Sequence, residues 1–511
     1  MDTAQILRVI ASSYGRMIVG MITGVVLTPF ILSKLGLEAL GLWALTTSVA
    51  SYFSLTDFGV TNAAVRYISH YRALEDWPNL NKTIGSTAFC YLAMAAFSLM
   101  AAAVVALGAP HLFTVSSGNI TTLRLLIVNV GLVSVVGFLS VLPIQCVIAA
   151  QRQDALNFWS TLIQVLTALL TALGLMLGAG ILLLAGLQLL SGVLNGVVGY
   201  VLSRRYLPQA HFYPRWDREQ GKLLSSFAGL ATLIALASRV IYNTDTLVIA
   251  TFISAAAAGS YFLALKAVEI MRGLVNAAAG VLGTFVSEQN ALGNQNALGI
   301  ILSQGTKCSL IVTLPVSGVL VFLGPEILRA WLGGTKPVAT VALAMGWLAV
   351  GQVFDLAQST AYHVLMNSGK HKVLALLMIC EAGVNLALSI ILIRFMGIVG
   401  VAIGTSIPLI VRGLFFYPLY MPRVTGFPLR QYVREAVLPP LCSSLPAIAL
   451  AALCKYGGFP ISRGSLPALG LGIAAVTIAS AYALCLNAKQ KSDLKALVAR
   501  RIRRNAAANP A

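Results

Sequence analysis

Fourteen runs of about 20 or more mostly apolar residues follow one another along the 511-residue chain, at roughly 8–32, 40–68, 83–108, 121–148, 157–177, 180–202, 222–252, 256–286, 301–323, 340–366, 372–394, 397–420, 435–455 and 464–487. Each run is long enough to cross the ~30 Å hydrocarbon core of a bilayer as a helix. In lipid every backbone N–H and C=O must find its partner within the segment, and a helix satisfies them all. The expected fold class is therefore an all-α polytopic membrane protein. Charged residues make up 10% of the chain, against about 25% in soluble domains. These figures exclude a soluble enzyme, a secreted disulfide scaffold and a disordered chain.

The net charge of +19 has an origin that needs no nucleic-acid partner, because Lys and Arg are retained in cytoplasmic loops, where they set orientation. With an even number of crossings, 22 basic residues fall on one side and 7 on the other. The rich side receives Arg204, Arg205, Arg215, Arg218 and a tail running from Lys489 to Arg504. Both termini are accordingly expected in the cytoplasm. The first apolar run is long enough to stay in the bilayer, so no cleaved leader is expected. The longest connections, 203–221 and 287–306, have no room for a soluble catalytic domain. All seven cysteines lie in or beside apolar runs without metal-ligand spacing.

An internal repeat organises the runs. Gly41-Leu-Trp-Ala-Leu is similar to Gly259-Ser-Tyr-Phe-Leu, and the turn at Arg152 matches the one at Lys370. Gly186 likewise matches Gly404, and these three pairs share one offset of 218 residues. Leu107-Gly108 before Pro110 matches Leu323-Gly324 before Pro325 at 216. Six crossings separate the copies, so both keep one orientation, as in transporters built of two parallel repeats. The expected division is a six-helix bundle over 1–206, a second over 207–424 facing it across a central cavity, two further helices over 425–487 and a basic cytoplasmic tail over 488–511.

Eleven ionisable residues fall inside the runs: Asp57, Asp245, Glu269, Asp355 and Glu381, with Arg16, Arg66, Arg239, Lys266, Arg272 and Arg412. Each costs about 2.5–3.5 kcal/mol at a helix centre, so eleven facing lipid would cost on the order of 30 kcal/mol. They are expected to face water, to pair, or to snorkel to an interface. Arg66 and Arg412 sit near expected cytoplasmic ends. Lys266, Glu269 and Arg272 recur at i, i+3 and i+6 along one helix face. Glu269 can pair with either neighbour, which leaves one cation over. Two readings stand for the cations: an anion-binding set (Arg16, Arg66, Arg239, Lys266, Arg272, Arg412) or structural pairs. Two also stand for Asp57, Asp245 and Glu269, as ion-coupling carboxylates or as neutralisers of nearby arginines.

Other motifs carry less. His363 and His371 flank a turn with no third ligand, short of what a metal site needs. Gly400-Val-Ala-Ile-Gly404 is a helix-packing face, and Asn243-Thr-Asp245 lies inside an apolar run rather than at a sugar-transferase metal site. The chain has no P-loop, HExxH or GxSxG, so neither enzyme activity nor a cofactor is expected. Energy for any transport would come from gradients across the membrane.

Three stretches resemble a known family. Tyr52-Phe-Ser-Leu-Thr-Asp57-Phe-Gly59, followed by small residues and Arg66, resembles the second-span signature of bacterial polysaccharide-export flippases. Asn243-Thr-Asp245-Thr-Leu-Val-Ile with Gly259-Ser-Tyr261 is similar to their seventh and eighth spans. Gly369-Lys-His-Lys, Glu381-Ala-Gly-Val-Asn385-Leu-Ala-Leu-Ser389 and Gly397-Ile-Val-Gly400-Val-Ala-Ile-Gly404-Thr405 resemble the tenth to twelfth. The resemblance is to the polysaccharide-transport branch of the multidrug/oligosaccharidyl-lipid/polysaccharide flippase superfamily, and it covers nearly the whole chain. It implies a flippase that moves undecaprenyl-pyrophosphate-linked oligosaccharides to the outer leaflet of the bacterial cytoplasmic (inner) membrane, working beside membrane lipids and a polysaccharide polymerase or other assembly proteins. The arginine-rich first span of the lipid II flippases is missing apart from Arg16. A lipid II flippase, a cation-coupled multidrug exporter of the same architecture, and a membrane polymerase or ligase are the alternatives; the last needs a sizeable outer loop that this chain lacks.

Overall fold

The computed structural model describes residues 3–225, 229–333, 338–486, 488 and 490–492. Lys336 and most of the tail expected over 488–511, including Lys489, Lys495 and Arg500–Arg504, lie outside the described residues. All regular structure among the described residues is helical. In chain order the helices are α1 (Thr3–Phe53), α2 (Val60–Ala73), α3 (Trp77–Leu112), α4 (Ile120–Ala149), α5 (Gln153–Met176), α6 (Ile181–Tyr206), α7 (Arg218–Ser225), α8 (Gly229–Phe252) and α9 (Ala255–Ala291). They continue as α10 (Gln295–Leu332), α11 (Val338–Ala357), α12 (Ser359–Asn367), α13 (His371–Val411), α14 (Tyr417–Thr425), α15 (Leu429–Tyr432), α16 (Leu438–Tyr456) and α17 (Ser465–Leu484).

Eleven helical stretches among the described residues are long and apolar enough to cross a membrane. Two of them, Arg8–Asp57 and His371–Thr425, run 50 and 55 residues, or about 75–83 Å at 1.5 Å per residue, more than twice a hydrocarbon core. Each is interrupted by a glycine in a conformation closed to other residues, Gly36 at φ 82° and Gly397 at φ 56°. The twenty-residue connection expected at 287–306 is instead helical on both sides of a short turn at 292–294. Asn294 opens α10 by accepting from the Ala297 N–H, which makes the turn abrupt.

The chain divides into two compact units, Met1–Ile270 with Lys370–Pro408, and Met271–Gly369 with Leu409–Ala511. In the first, α1 and α5 run side by side in one direction: Gln5 donates to the Gln151 carbonyl, and Asn157 donates to Ser12 and Ser13. α4 and α6 are also parallel, and Gly192, Gly196 and Gly199 receive Val136, Ser140 and Ile144 in turn. Small residues four apart let such backbones approach closely, since lipid offers no hydrophobic drive for helix association. Ile68, Leu80, Ile84, Tyr91, Phe138 and Cys146 form a buried core beside them. In the second unit α10 packs antiparallel to α11, with Gly324 against Met345 and Gly346 against Val321. Large apolar side chains such as Leu162, Leu166, Leu169 and Leu173 on α5 face outward, as a lipid-facing surface requires.

Gly41 and Gly259 meet. A Cβ on Gly41 would fall on the Ala255 carbonyl and 3.0 Å from the Gly259 nitrogen, and one on Gly259 would fall on the Leu37 carbonyl and 2.9 Å from the Gly41 nitrogen.

Candidate functional site

The first unit contains a polar cavity of about 550 Å³ between α1, α5 and α6. Its walls are Ser13, Arg16 and Met17 of α1, Gln153, Asn157, Ser160, Gln164 and Thr167 of α5, and Ser191 and Asn195 of α6. The α5 residues recur every three or four positions and so share one face. Asn157, nearly fully buried, is fixed by Ser12 at 3.1 Å and Ser13 at 2.9 Å. Ser160 donates to Asn195 Oδ1 at 2.7 Å, and Asn195 donates to the Ser191 carbonyl at 2.8 Å. Arg16 is the cation of this wall, and it has no ion-pair partner among the described residues. Of the six expected substrate cations, Arg16 alone lines this cavity.

The other five lie in varied surroundings. Arg66 is exposed, its guanidinium 6.0 Å from the Tyr67 ring centroid. Arg239 is half-buried; its carbonyl accepts from the Tyr52 hydroxyl at 3.4 Å, and that hydroxyl also hydrogen-bonds Thr244 Oγ1. Lys266 takes the partner offered by helical spacing, Glu269 Oε2 at 2.7 Å, and stands 4.8 Å from the Phe262 ring centroid. Arg272 donates through Nε to Gln352 Oε1 at 3.1 Å, and Gln352 is buried. Arg412 is buried and ion-paired with Asp355, with the Tyr417 ring centroid 5.8 Å from its guanidinium. Each partner of such a pair offsets part of the cost of taking the other out of water.

The carboxylates differ in the same way. Asp57 sits where the chain turns through Phe58 and Gly59, both left-handed, into α2, and it accepts from the Thr61 N–H and hydroxyl. Thr61 continues to Tyr91 at 3.0 Å, and Tyr91 receives Gln145 at 2.7 Å. Asp245 is buried. Its Oδ2 accepts from the Tyr261 hydroxyl at 2.5 Å and from Thr405 Oγ1 at 2.7 Å, while Oδ1 has no partner. One residue before Thr405, Gly404 packs on Ser389, where a Cβ would come 2.7 Å from the Ser389 nitrogen. The Ser389 hydroxyl and both carboxamide atoms of Asn385 are buried without hydrogen-bond partners, on the same helix face as buried Glu381. A buried acid beside unsatisfied oxygen ligands can hold a proton, a water or a small hard cation.

The charged positions stand out in the sequence; the neutral ones do not. Gln153, Asn157, Ser160, Gln164 and Thr167 nonetheless carry a visible signal, a polar stripe at helical spacing inside an apolar run. Asn385 and Ser389 extend Glu381 at i+4 and i+8 in the same manner.

Comparison with known proteins places these features in a family. The profile of the family described as "Polysaccharide biosynthesis protein" matches residues 4–283. A protein of Bacillus subtilis (strain 168) described as "Uncharacterized membrane protein EpsK" is 22% identical over 466 residues, covering 90% of this chain and 90% of that protein. Among solved structures, one titled "Lipid II flippase MurJ, inward closed conformation" aligns at TM-score 0.69 and 15% identity, over 92% of this chain and 97% of that one. An inward-facing multidrug resistance MATE family transporter of the MOP superfamily aligns at TM-score 0.65 and 15% identity, over 81% and 96%. The fold is shared with these membrane transporters, and the chain belongs to the polysaccharide biosynthesis protein family.

Proposed function

We propose that this protein is a flippase that carries undecaprenyl-pyrophosphate-linked oligosaccharide across the bacterial cytoplasmic membrane for surface polysaccharide assembly. The observation that carries the reading is a roomy, polar, cation-bearing cavity inside a membrane bundle of a polysaccharide biosynthesis family member. A pyrophosphate must shed water to enter, and guanidinium groups suit it by charge and planar geometry. Arg16, Arg239, Lys266 and Arg272 serve the pyrophosphate, with Arg66 and Arg412 toward the cytoplasmic mouth. Cationic drugs would be repelled by Arg16 in a cavity that offers them no carboxylate, which separates this reading from a multidrug exporter. The short connections suit transport rather than polymerisation.

The reading includes a topology. Counting Arg8–Asp57 and His371–Thr425 as two crossings each, together with α9, gives fourteen, with both termini cytoplasmic. The contact between Gly41 and Gly259 supports the parallel repeat. Reporter fusions at the termini and at Arg204–Arg218 test this, and an external terminus would overturn it.

Energy comes from the membrane potential. Moving one charge through 100 mV is worth about 2.3 kcal/mol, so a headgroup of roughly two negative charges gains on the order of 5 kcal/mol on leaving a negative cytoplasm. Asp57, Asp245 and Glu269 add coupling by taking up a proton or Na⁺ as substrate leaves. Vesicles holding a potential but no ion gradient test the coupling: full-rate flipping there, unaffected by Asp57→Asn or Glu269→Gln, leaves the potential as sole driver. For the site, Arg239→Ala and Arg272→Ala are expected to abolish polymer export at normal protein levels, and undiminished export would remove both residues from it.

A further inference from the structure

The polar face of α5 is long. Gln153 to Thr167 spans about 21 Å at 1.5 Å per residue, most of a hydrocarbon core. Its opposite face is leucine-rich and exposed, so the helix is polar inward and apolar outward. Such a face in lipid needs an occupant or water, because unmatched amides and hydroxyls are expensive in an apolar medium. The cavity it lines, about 550 Å³, falls within the range of small-molecule sites, about 300–1,000 Å³. It far exceeds the ~30 Å³ that one water occupies in the liquid.

The chemistry of the lining is selective. Apart from Met17 it holds hydroxyls and carboxamides, one guanidinium and no carboxylate. A carboxamide presents an acceptor and two donors in one plane, and a hydroxyl presents both by rotation. That combination matches the dense, alternating donors and acceptors of a sugar ring. Part of the lining is set in place by its own bonds, as Asn157 is by Ser12 and Ser13 and Asn195 by Ser160. The Gln164 carboxamide and the Arg16 guanidinium have no hydrogen-bond partner among the described residues. Gly20 leaves the space that Gln164 uses: a Cβ there would come 3.1 Å from Gln164 Nε2.

We infer that the groove between α1, α5 and α6 binds the neutral sugar residues of the transported lipid, with Arg16 receiving the phosphate beside them. This rests on the flippase reading above and adds to it which part of the substrate this groove reads. Sugar recognition by hydrogen bonds penalises ligands that leave buried polar groups unmatched, so the groove favours a glycosylated carrier over the bare one.

The test uses two probes: the lipid-linked oligosaccharide fraction extracted from the cells that make this protein, and bare undecaprenyl pyrophosphate. Binding of each to the full chain in lipid nanodiscs is measured. The glycosylated probe is expected to bind at least tenfold more tightly. Gln164→Ala and Asn195→Leu are each expected to shrink that advantage about three- to tenfold, the worth of one or two hydrogen bonds. Arg16→Ala weakens both probes alike. Gln164→Met keeps the side-chain volume without the carboxamide, and it decides the matter if the alanine variant fails to fold. Equal binding of the two probes, or an advantage that survives Gln164→Met and Asn195→Leu, overturns the groove assignment while the flippase reading stands. Failure of the wild-type chain to bind either probe overturns both.

Discussion

One methyl group at the contact of the repeated glycines should force α1 and α9 apart. At Gly41 the new carbon meets the Ala255 carbonyl and the Gly259 nitrogen; at Gly259 it meets the Leu37 carbonyl and the Gly41 nitrogen. All four are backbone atoms, which cannot rotate away as a side chain would. Overpacking costs about 1–3 kcal/mol, and a backbone clash belongs at the upper end. Alanine recovers about 1 kcal/mol of helix propensity over glycine, so Gly41→Ala or Gly259→Ala should each lose about 2 kcal/mol net. Gly15 and Gly24, also on α1, have nothing within 4 Å of where a Cβ would stand, and alanine there should be neutral or stabilising by up to about 1 kcal/mol. The double variant is the sharper test. Once the helices have parted for one methyl, the second enters the same gap, so the double cost should fall short of the sum by about 1–2 kcal/mol. Unfolding in mixed micelles by an SDS titration, followed by circular dichroism, measures all five variants. Singles that add within about 0.5 kcal/mol, or a Gly41→Ala indistinguishable from Gly24→Ala, would refute the tight contact.

Arg412→Ala takes the ion-pair partner from the half-buried Asp355 carboxylate and should destabilise by about 3 kcal/mol, the low end for a buried pair, whereas Arg412→Met with Asp355→Leu should recover most of the loss; the same titration reads both. Asp245→Asn keeps an acceptor for Tyr261 and Thr405, while Asp245→Ala removes it from both, so alanine should be the less stable by about 1–3 kcal/mol; equal midpoints would deny those bonds. Asp76 caps α3 by accepting from the Asn79 N–H and Nδ2, and these bonds hold its exposed carboxyl below the usual carboxylate range. The cap is therefore complete above the unfolded value of about 3.9 and is lost as pH falls through the lower folded value; hydrogen exchange at the start of α3 should quicken there in the wild type and be quick at all pH in Asp76→Ala.

Hydropathy makes the membrane helices legible because the cost of exposing backbone to lipid leaves a chain no other way across. It does not mark where helices end in water. Residues 287–306 read as a loop for want of apolar runs, although Gln289, Asn290 and Gln295 belong to helices that pass beyond such a run. The likeness between the stretches that begin at Gly41 and Gly259 is legible, but the contact between the two glycines is not, since a sequence offset carries no distance. Spacing offers Glu269 either Lys266 or Arg272, and the pair that forms is Lys266 with Glu269, at i and i+3 of one helix. Asp355 with Arg412, 57 residues apart, is a tertiary choice that local spacing does not encode. The polar face of α5 is open to a reading by periodicity and escapes one that weighs only ionisable groups, because Gln, Asn, Ser and Thr do not stand out by charge.

Transport itself is the most direct test. The purified chain is placed in sealed vesicles with an imposed potential, and the extracted lipid-linked oligosaccharide is supplied in the donor leaflet. A sugar-binding probe on the receiving side then follows its arrival. Protein-dependent transfer that rises with potential and collapses in Arg239→Ala and Arg272→Ala is the expected result. Transfer no faster than in protein-free vesicles would contradict the flippase reading outright.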